Sequence, residues 1–246
     1  MTGIGAVIFD FNGVLVDDEA VHFALFREVL AQEGVVITEF DYHDRYLGYD
    51  DRGCFEAALA DAGKGFNPEQ IDQLIAQKAR RYVEVAAQGL RFFPAAAEAL
   101  GAVAAHWPVA ICSGALRPEI QYTLRQLDRL DQVVAIISAE DTDKGKPDPE
   151  GYRLALAALR AHLGTGRNHG FEAQCIDGKL EAANCLVVED SLAGIISAKG
   201  AGMQAVGVPN TYSAQQLRGA GADEVIDGLA CLTPEWIKRR FHRQGT

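Results

Sequence analysis

A short apolar run that ends in a carboxylate lies near the start of the chain. Residues 6–9 read Ala-Val-Ile-Phe, and Asp10, Asn12 and Gly13 follow before a second apolar stretch begins. This pattern is typical of a buried strand whose carboxyl end delivers a charged group into a crevice. Taken alone, the segment fits an ordinary strand-to-turn junction closed by an Asx turn just as well. Its meaning therefore depends on the other segments of the chain.

Three further segments place polar residues where an apolar run or a turn ends. A second run ends at Ser113, Lys146 lies in a turn stiffened by two prolines, and a later run ends in the adjacent carboxylates Glu189 and Asp190. Singly, such a serine could cap a helix, such a lysine could be solvated, and such carboxylates could begin a helix. Together, and in this order, the four segments indicate one shared site.

With these four motifs the chain resembles the haloacid dehalogenase-like phosphotransferase superfamily, in particular its branch of β-phosphoglucomutase and small sugar-phosphate phosphatases. The resemblance covers nearly the whole chain. It implies that Asp10 is the nucleophile that forms an aspartyl phosphate, and that Ser113 and Lys146 hold the phosphoryl oxygens. Gly114, next to the serine, is expected to contact the substrate. The implied enzyme is a phosphoric monoester hydrolase that acts on a small phosphate ester such as a sugar phosphate.

The same resemblance implies a Mg²⁺ cofactor. Asp10, Asp190 and the backbone carbonyl of Asn12 would bind the ion, with Glu189 as a supporting or alternative metal carboxylate. The family places an aspartate, its general acid and base, where this chain has Asn12. An amide cannot shuttle a proton near neutral pH, and general acid–base catalysis contributes about 10²–10⁴-fold. We therefore expect slow turnover, whether Asn12 reflects an engineered trap, a relocated acid or a degraded enzyme.

Strand-like runs alternate with helical patterns along most of the chain. The strands are predicted at 6–10, 109–113, 133–138, 185–189 and 204–208, and most are separated by helices near 95–106, 116–130, 149–163 and 192–201. This alternation predicts an α/β fold with a doubly wound parallel sheet. In such a sheet, ligands collect at the carboxyl ends of the strands, where Asp10, Ser113 and Asp190 all fall.

The stretch 17–92 interrupts this alternation. It contains helical segments near 18–33, 50–62 and 68–88 and no convincing strand. We interpret it as a helical cap domain inserted into a catalytic core made of residues 1–16 and 93–246. Its hinges are expected near Val14–Asp18 and Arg91–Pro94, where motion would open and close the cleft.

Four side chains are candidates for contacts with the substrate: His22, Arg52, Lys78 and Arg117. By resemblance, His22 and Lys78 match a histidine and a cap lysine of phosphoglucomutases. The alternatives are a partly buried helical histidine and a solvated, Lys- and Arg-rich helix face. Phosphoglucomutases carry an arginine where this chain has Asp51 and a lysine where it has Leu116; Arg52 and Arg117 each follow one residue later. Because both of these family residues serve to bind a sugar bisphosphate, we expect a phosphatase rather than a mutase.

The composition argues against several classes of partner. A formal charge of −11 disfavours nonspecific nucleic-acid binding, which needs a basic surface. No stretch reaches the roughly 18 apolar residues of a membrane span, and the first residues lack the basic start of a signal peptide. The five scattered cysteines include no CxxC pair, so neither a zinc site nor a disulfide framework is indicated. We expect a cytoplasmic enzyme that binds a small phosphorylated metabolite; a monomer is plausible, but the sequence does not decide the oligomeric state.

Two other functions stay open in the sequence. One is a β-phosphoglucomutase-like phosphomutase, and the other is a phosphate-binding or regulatory protein whose catalytic cycle stalls at Asn12. Hydrolysis of carbon–halogen bonds is disfavoured, because the acidic pair and Lys146 suit a metal and a phosphoryl group. Residues 164–184 form a turn-rich connection that exceeds the usual loop length. We interpret it as a tolerated surface insertion with a short hairpin around Cys175.

Overall fold

The computed structural model describes residues 3–47, 49–164 and 180–241. Six parallel strands in these ranges form one sheet in the order β3-β2-β1-β4-β5-β6. The strands are β1 Ala6–Phe9, β2 Val109–Cys112, β3 Val133–Ile137, β4 Cys185–Glu189, β5 Gln204–Gly207 and β6 Glu224–Val225. Because the strand order reverses at β1, the crevice at its carboxyl end is the place where such a sheet binds ligands.

The helices fall into two groups. Four lie in the stretch 17–92: α1 Glu19–Gln32, α2 Glu39–Asp41, α3 Asp51–Asp61 and α4 Pro68–Ala86, with a π-helical turn at Tyr42–Tyr46. The others follow β2 or directly precede it: α5 Ala96–Ala104, α6 Arg117–Gln126, α7 Glu150–Gly164, α8 Leu192–Gly200, α9 Ala214–Gly219 and α10 Pro234–Phe241. Short 3₁₀ turns lie at Leu130–Gln132, Ala139–Asp141, Ala182–Asn184 and Leu229–Cys231.

Each face of the sheet carries its own hydrophobic layer. Successive residues of a strand point to opposite faces. In β1, Val7 and Phe9 therefore join a buried cluster with α5, α6 and α10, while Ala6 and Ile8 join another with α7, α8 and α9. A strand that is covered on both sides needs an uninterrupted apolar sequence, which explains the continuous runs seen in β1, β2 and β4.

The cap helices α1, α3 and α4 have a core of their own, separate from the sheet. Its buried members come from residues 26–74 and surround Phe55, which has no exposed surface. On α4 the buried positions are Ile71, Leu74, Lys78, Tyr82 and Ala86, which share one face at helical spacing. Lys78 therefore belongs to the buried face of α4, and the alternative of a solvated lysine there is wrong.

Two antiparallel chain segments connect the helical cap to the sheet. The backbone N–H of Asp17 donates to the carbonyl of Arg91 at 2.8 Å, and the N–H of Phe93 donates to the carbonyl of Leu15 at 3.2 Å. Val16 and Phe92 form the bridge between these two bonds. The segments expected to act as hinges thus pair with each other along one narrow junction.

The architecture confirms the predicted fold class, a doubly wound parallel sheet with an inserted helical cap. Each predicted strand has its counterpart within one residue, and β1 ends just before Asp10. The sequence analysis missed β6, α9 and α10, because a two-residue strand and short helices give little periodicity. The hairpin predicted around Cys175 lies outside the described residues. No helix in the described ranges is long and apolar enough to cross a membrane.

The separate core of the cap predicts a contrast between two phenylalanines. Phe55→Ala removes a fully buried ring, and we expect it to lower the free energy of unfolding by about 3–5 kcal/mol. Phe40→Ala is the control, because this ring is 75% exposed, and a surface change usually costs within about 0.5 kcal/mol. Urea unfolding of both variants tests the contrast, and equal losses would contradict this assignment of the cap core.

Candidate active site

An ion pair between Asp10 and Lys146 lies at the carboxyl edge of the sheet. Asp10 directly follows β1, and its backbone N–H donates to the carbonyl of Val188 in β4 at 2.9 Å. Lys146 reaches in from the turn before α7 and donates from Nζ to Asp10 Oδ1 at 2.6 Å. The same Nζ donates to Glu189 Oε1 at 2.6 Å. One lysine thus links the ends of β1 and β4.

The Glu189 carboxylate is held by protein donors on both oxygens. Oε1 accepts from Lys146 and, at 2.8 Å, from the hydroxyl of Tyr152. Oε2 accepts from the backbone N–H of Asp190 and of Ser191 and from the Ser191 hydroxyl. A carboxylate has about four acceptor positions, so Glu189 retains little capacity for a metal. Its placement behind Lys146 fits the supporting role better than direct metal coordination.

Asp190 stands next to Asp10 on the neighbouring strand end. Its Oδ2 accepts a hydrogen bond from the hydroxyl of Thr211, a residue that the sequence analysis did not single out. Gly13 packs against this carboxylate with φ of 76°, and a Cβ there would lie 2.0 Å from Asp190 Oδ2. Only glycine combines this backbone conformation with such a close approach. Gly13 therefore lets the loop after Asp10 close over Asp190.

These three acidic side chains form a group that could hold a metal ion. Ligand atoms of Asp10, Glu189 and Asp190 lie within 4.8 Å of one another, and all three residues are buried. Burial raises the pKa of Asp10 to about 7, against the pull of Lys146 and with the help of Glu189. Burial, Glu189 and Asp10 also raise the pKa of Asp190 well above its ordinary value. Since oxygen ligands with excess negative charge suit a hard divalent cation, the residues fit Mg²⁺.

Ser113 and Asn12 face each other across the mouth of the site. Ser113 directly follows β2, and its hydroxyl donates to Asn12 Oδ1 at 3.3 Å while accepting from the N–H of Ala115 at 3.0 Å. The Asn12 amide nitrogen donates to both oxygens of Asp18, at 3.0 and 3.1 Å. The Asn12 side chain is therefore anchored between the core and the start of α1.

Asp18 is the centre of a buried network that the sequence analysis treated only as part of a hinge. Besides Asn12, it contacts His22 Nε2 at 3.2 Å and accepts from the Tyr82 hydroxyl at 2.6 Å. Burial would raise the pKa of Asp18, but His22, Tyr82 and Asn12 outweigh it and lower that pKa. Burial and Lys78 oppose the protonation of His22, yet Asp18 raises the pKa of the imidazole. This network ties two cap helices to the loop that carries Asn12.

Lys78 continues this network from α4. Its Nζ lies 2.6 Å from Asp51 Oδ1 and 2.9 Å from His22 Nδ1, over the ring of Phe26. Burial opposes the charge, but Asp51 and then Glu119 of α6 raise the pKa of the ammonium. Lys78 is thus a buried cation neutralised by carboxylates of both cap and core.

A cavity of about 340 Å³ lies between the cap and the carboxyl edge of the sheet. It brings together most of the predicted site residues: Asp10, Asn12, His22, Ser113, Gly114, Lys146 and Asp190. Glu189 and Lys78 lie behind this lining. The cap adds aromatic and acidic side chains to the lining, namely Glu19, Phe26, Tyr42, Tyr49, Asp50 and Asp51. Of these, the sequence did not point to Glu19, Phe26 or Tyr42.

The structure does not bring Arg52 or Arg117 to this cavity. Arg52 pairs with Asp72 on the surface of the cap. Arg117 donates to the carbonyl of Ile136 and pairs with Asp141, so that it ties the start of α6 to the end of β3. One residue along a helix turns a side chain by about 100°. Asp51, one residue earlier, lines the cavity, so this offset points Arg52 away from the cleft. Arg117 begins α6, and its partners at the end of β3 hold it outside the cavity.

The fold and the site together define an α/β enzyme whose polar groups meet at the carboxyl edge of a parallel sheet beneath a helical cap. The model of the haloacid dehalogenase-like hydrolases matches residues 4–202, and the chain belongs to this family. Validoxylamine A 7'-phosphate phosphatase of Streptomyces hygroscopicus subsp. limoneus is 28% identical over 229 residues, which are 90% of this chain and 92% of that protein.

A mutase and a solved structure are similar over nearly the whole chain. Beta-phosphoglucomutase of Bacillus subtilis is 27% identical over 245 residues, 97% of this chain and 96% of that protein. The structure of beta-phosphoglucomutase from Clostridium difficile superposes with a TM-score of 0.79 at 21% identity and covers 97% of each chain. The relatives thus include both phosphatases and a phosphomutase.

The raised pKa of Asp10 predicts how stability depends on pH without metal. The folded protein holds this proton up to about pH 7, whereas the ordinary value is 3.8. Between these values the folded state binds more protons than the unfolded chain, so the contribution of Asp10 to stability falls as pH rises. In EDTA, Asp10→Asn should gain stability relative to the wild type between pH 5 and pH 8. Urea unfolding at both pH values measures this difference, and an unchanged difference would contradict the raised pKa.

Proposed function

We propose that this enzyme is a Mg²⁺-dependent phosphatase that hydrolyses a small phosphate monoester, such as a sugar phosphate, through a phosphorylated Asp10. The observation that carries the proposal is the meeting of four chain segments in one cleft. Asp10, Ser113, Lys146 and Asp190 come from distant parts of the sequence and line the same cavity. The names of the two curated relatives described above support a phosphorylated, sugar-like substrate.

Each side chain has a role that follows from its position. Lys146 favours the ionised form of Asp10, whose carboxylate attacks phosphorus as the bond to the leaving oxygen breaks. The leaving oxygen takes its proton from solvent, because Asn12 has none to give. The Ser113 hydroxyl and Lys146 then hold oxygens of the phosphoryl group. In the second step water attacks phosphorus, the bond to Asp10 breaks, and phosphate leaves while the proton of the water passes to solvent. Asp10, Asp190 and the Asn12 carbonyl would hold Mg²⁺, which supplies charge stabilisation for the transferring phosphoryl group.

The cap is proposed to move as a unit, with residues 17–92 closing over a core of residues 1–16 and 93–246. Its separate hydrophobic core and the single paired junction at Val16 and Phe92 support this division. Closure would exclude water while Asp10 attacks the ester. Small-angle scattering with and without Mg²⁺ and a phosphate analogue should show a more compact particle with ligand, and identical profiles would count against closure.

A second candidate is a phosphate-binding protein whose cycle stalls. Asn12 favours it, because the amide is held by Asp18 and Ser113 and offers no titrating proton. Such a protein would bind Mg²⁺ and phosphate analogues without turnover. The mutase alternative has less support, since Arg52 and Arg117 bind carboxylates outside the cavity.

The covalent intermediate gives one direct prediction. With no carboxylate at position 12, esters that have good leaving groups should phosphorylate Asp10 faster than the intermediate hydrolyses. Rapid quench followed by intact-mass analysis should detect one added phosphoryl group with an aryl phosphate. The Asp10→Asn variant is the control and should show none. An unmodified wild-type protein during steady turnover would contradict the covalent route.

The contact between Asn12 and Asp18 decides how proton transfer should be restored. Asn12→Asp alone places a second carboxylate about 3 Å from Asp18, so one of the two retains a proton. The double variant Asn12→Asp/Asp18→Asn keeps one carboxylate and one amide in contact. We expect it to raise kcat on sugar phosphates by about 10²–10⁴-fold, and less on aryl phosphates.

Both variants are to be assayed beside Asp18→Asn, which tests the loss of Asp18 alone and should bring no gain. Phosphate release is measured with a broad panel of phosphate esters for the wild type and the three variants. Turnover that stays the same in the double variant on every ester would overturn the assignment of position 12. Binding of Mg²⁺ and phosphate analogues with no turnover in any variant would favour the stalled protein.

A further inference from the structure

The two ends of the cavity differ in the ionisable side chains that they present. Lys146 lies at the sheet end, and no other lysine or arginine is among the described residues that line the cavity. The cap end carries three carboxylates, Glu19, Asp50 and Asp51. A phosphate ester that places its phosphoryl group beside Lys146 therefore directs the rest of the molecule toward negative charge.

The cation nearest to the cap end is already neutralised. Lys78 has no exposed surface, and its Nζ is bound by Asp51 and His22 at 2.6 and 2.9 Å. Asp51 stands between this ammonium and the cavity, because it lines the cavity and Lys78 does not. A second anionic group of a substrate would meet the Asp51 carboxylate before it could reach Lys78.

Asp51 has one oxygen that lacks a partner. Oδ1 accepts from Lys78, while Oδ2 is buried and forms no hydrogen bond within the described protein. A buried carboxylate oxygen without a donor is costly, and the residue that carries this oxygen lines the cavity. Hydroxyl and ammonium groups donate to carboxylates, whereas phosphate dianions and carboxylates offer acceptors only.

The cap loop that carries Asp50 and Asp51 faces the loops at the sheet end of the cavity. Asp50 lies across from Gly114 and Gly145, and a methyl group added at either glycine would be 3.6 Å from an atom of Asp50. Its Oδ1 accepts from the N–H of Gly53 at 2.8 Å, while Glu19 Oε1 accepts from the Tyr42 hydroxyl at 2.5 Å. Protein donors thus hold these two carboxylates of the cap in place.

We propose that Asp51 determines substrate specificity by admitting phosphomonoesters whose far end bears hydroxyl or amino groups and by rejecting those whose far end is anionic. The proposal rests on the phosphatase function proposed above. The favoured class is a monophosphate of a sugar, polyol or amino sugar. Bisphosphates and phosphorylated acids are excluded because their second negative charge meets the carboxylates of Asp51, Asp50 and Glu19.

Three probes that differ in charge at the far end test the proposal: glucosamine 6-phosphate, glucose 6-phosphate and 6-phosphogluconate. The acid is also an open chain, but that difference is the same for every variant, so a change in its penalty between variants reports the charge. In the wild type, kcat/KM should be at least about tenfold lower for the acid than for glucose 6-phosphate, since like charges in a binding cleft oppose each other. The amine should equal or exceed glucose 6-phosphate. Asp51→Asn should shrink the penalty on the acid by about tenfold, mainly through KM, because binding rather than chemistry changes.

The chain offers a matched control and a second variant. Asp72→Asn removes the carboxylate that pairs with Arg52 on the cap surface, and it should leave the order of the three esters unchanged. Glu19→Gln removes a charge from the same end of the cavity while an amide oxygen can still accept from Tyr42. It should reduce the penalty on the acid in the same direction, so the test survives if Asp51→Asn unfolds.

Calorimetric dissociation constants of the three esters with Mg²⁺ separate this proposal from the phosphatase function. If no ester is hydrolysed by any variant, the phosphatase function fails, but the order of the dissociation constants still decides the role of Asp51. Equal affinity of the wild type for the acid and for glucose 6-phosphate would overturn the proposal. An unchanged preference in both Asp51→Asn and Glu19→Gln would overturn it as well.

Discussion

Three buried carboxylates share one lysine at the carboxyl edge of the sheet, and much of the surrounding structure maintains this arrangement. Lys146 alone cannot neutralise Asp10, Glu189 and Asp190, and burial makes uncompensated charge expensive. The protein meets part of this cost with donors around Glu189 and with the Thr211 hydroxyl on Asp190. The remaining excess of negative charge suits a bound cation. Under the proposed function, that cation would offset the repulsion between these carboxylates and a phosphoryl group.

The cap contributes more than a cover for this site. Its buried polar network runs from Asn12 through Asp18 and His22 to Lys78, and it ends at Asp51 on the cavity wall. Each charged member has an opposite partner, so the network can remain buried between the cap and the core. The position of the cap is therefore coupled to the loop that carries Asn12. Because Asp51 belongs to the network and lines the cavity, the same network also positions a carboxylate on the cavity wall.

The sequence predicted the sheet and the position of its polar edge. The apolar runs indicate where the strands end, and in a parallel sheet those ends share one edge, so Asp10, Ser113 and Asp190 lie together there. It did not predict the partners of Lys78 or Asp18. Those contacts join residues that are up to 64 positions apart, and they depend on how helices pack rather than on local pattern. The helical spacing of Lys78 with Ile71, Leu74 and Tyr82 was a usable signal, since it placed the lysine on the apolar face. Arg52 follows Asp51 on α3, and a shift of one residue is enough to turn its side chain away from the cavity. Arg117 begins α6, where the carbonyl of Ile136 and the carboxylate of Asp141 bind it.

The most direct test of this account is a crystal structure of the wild-type protein with Mg²⁺ and beryllium fluoride, which imitates a phosphoryl group on a carboxylate. The account predicts that the fluoride complex is attached to Asp10, within hydrogen-bond distance of Lys146 Nζ and Ser113 Oγ. The cation should lie between Asp10 and Asp190. A fluoride complex bound elsewhere in the cavity, or a cation held by Glu19 and Asp50 instead, would contradict the assignment of Asp10 as the group that accepts the phosphoryl group.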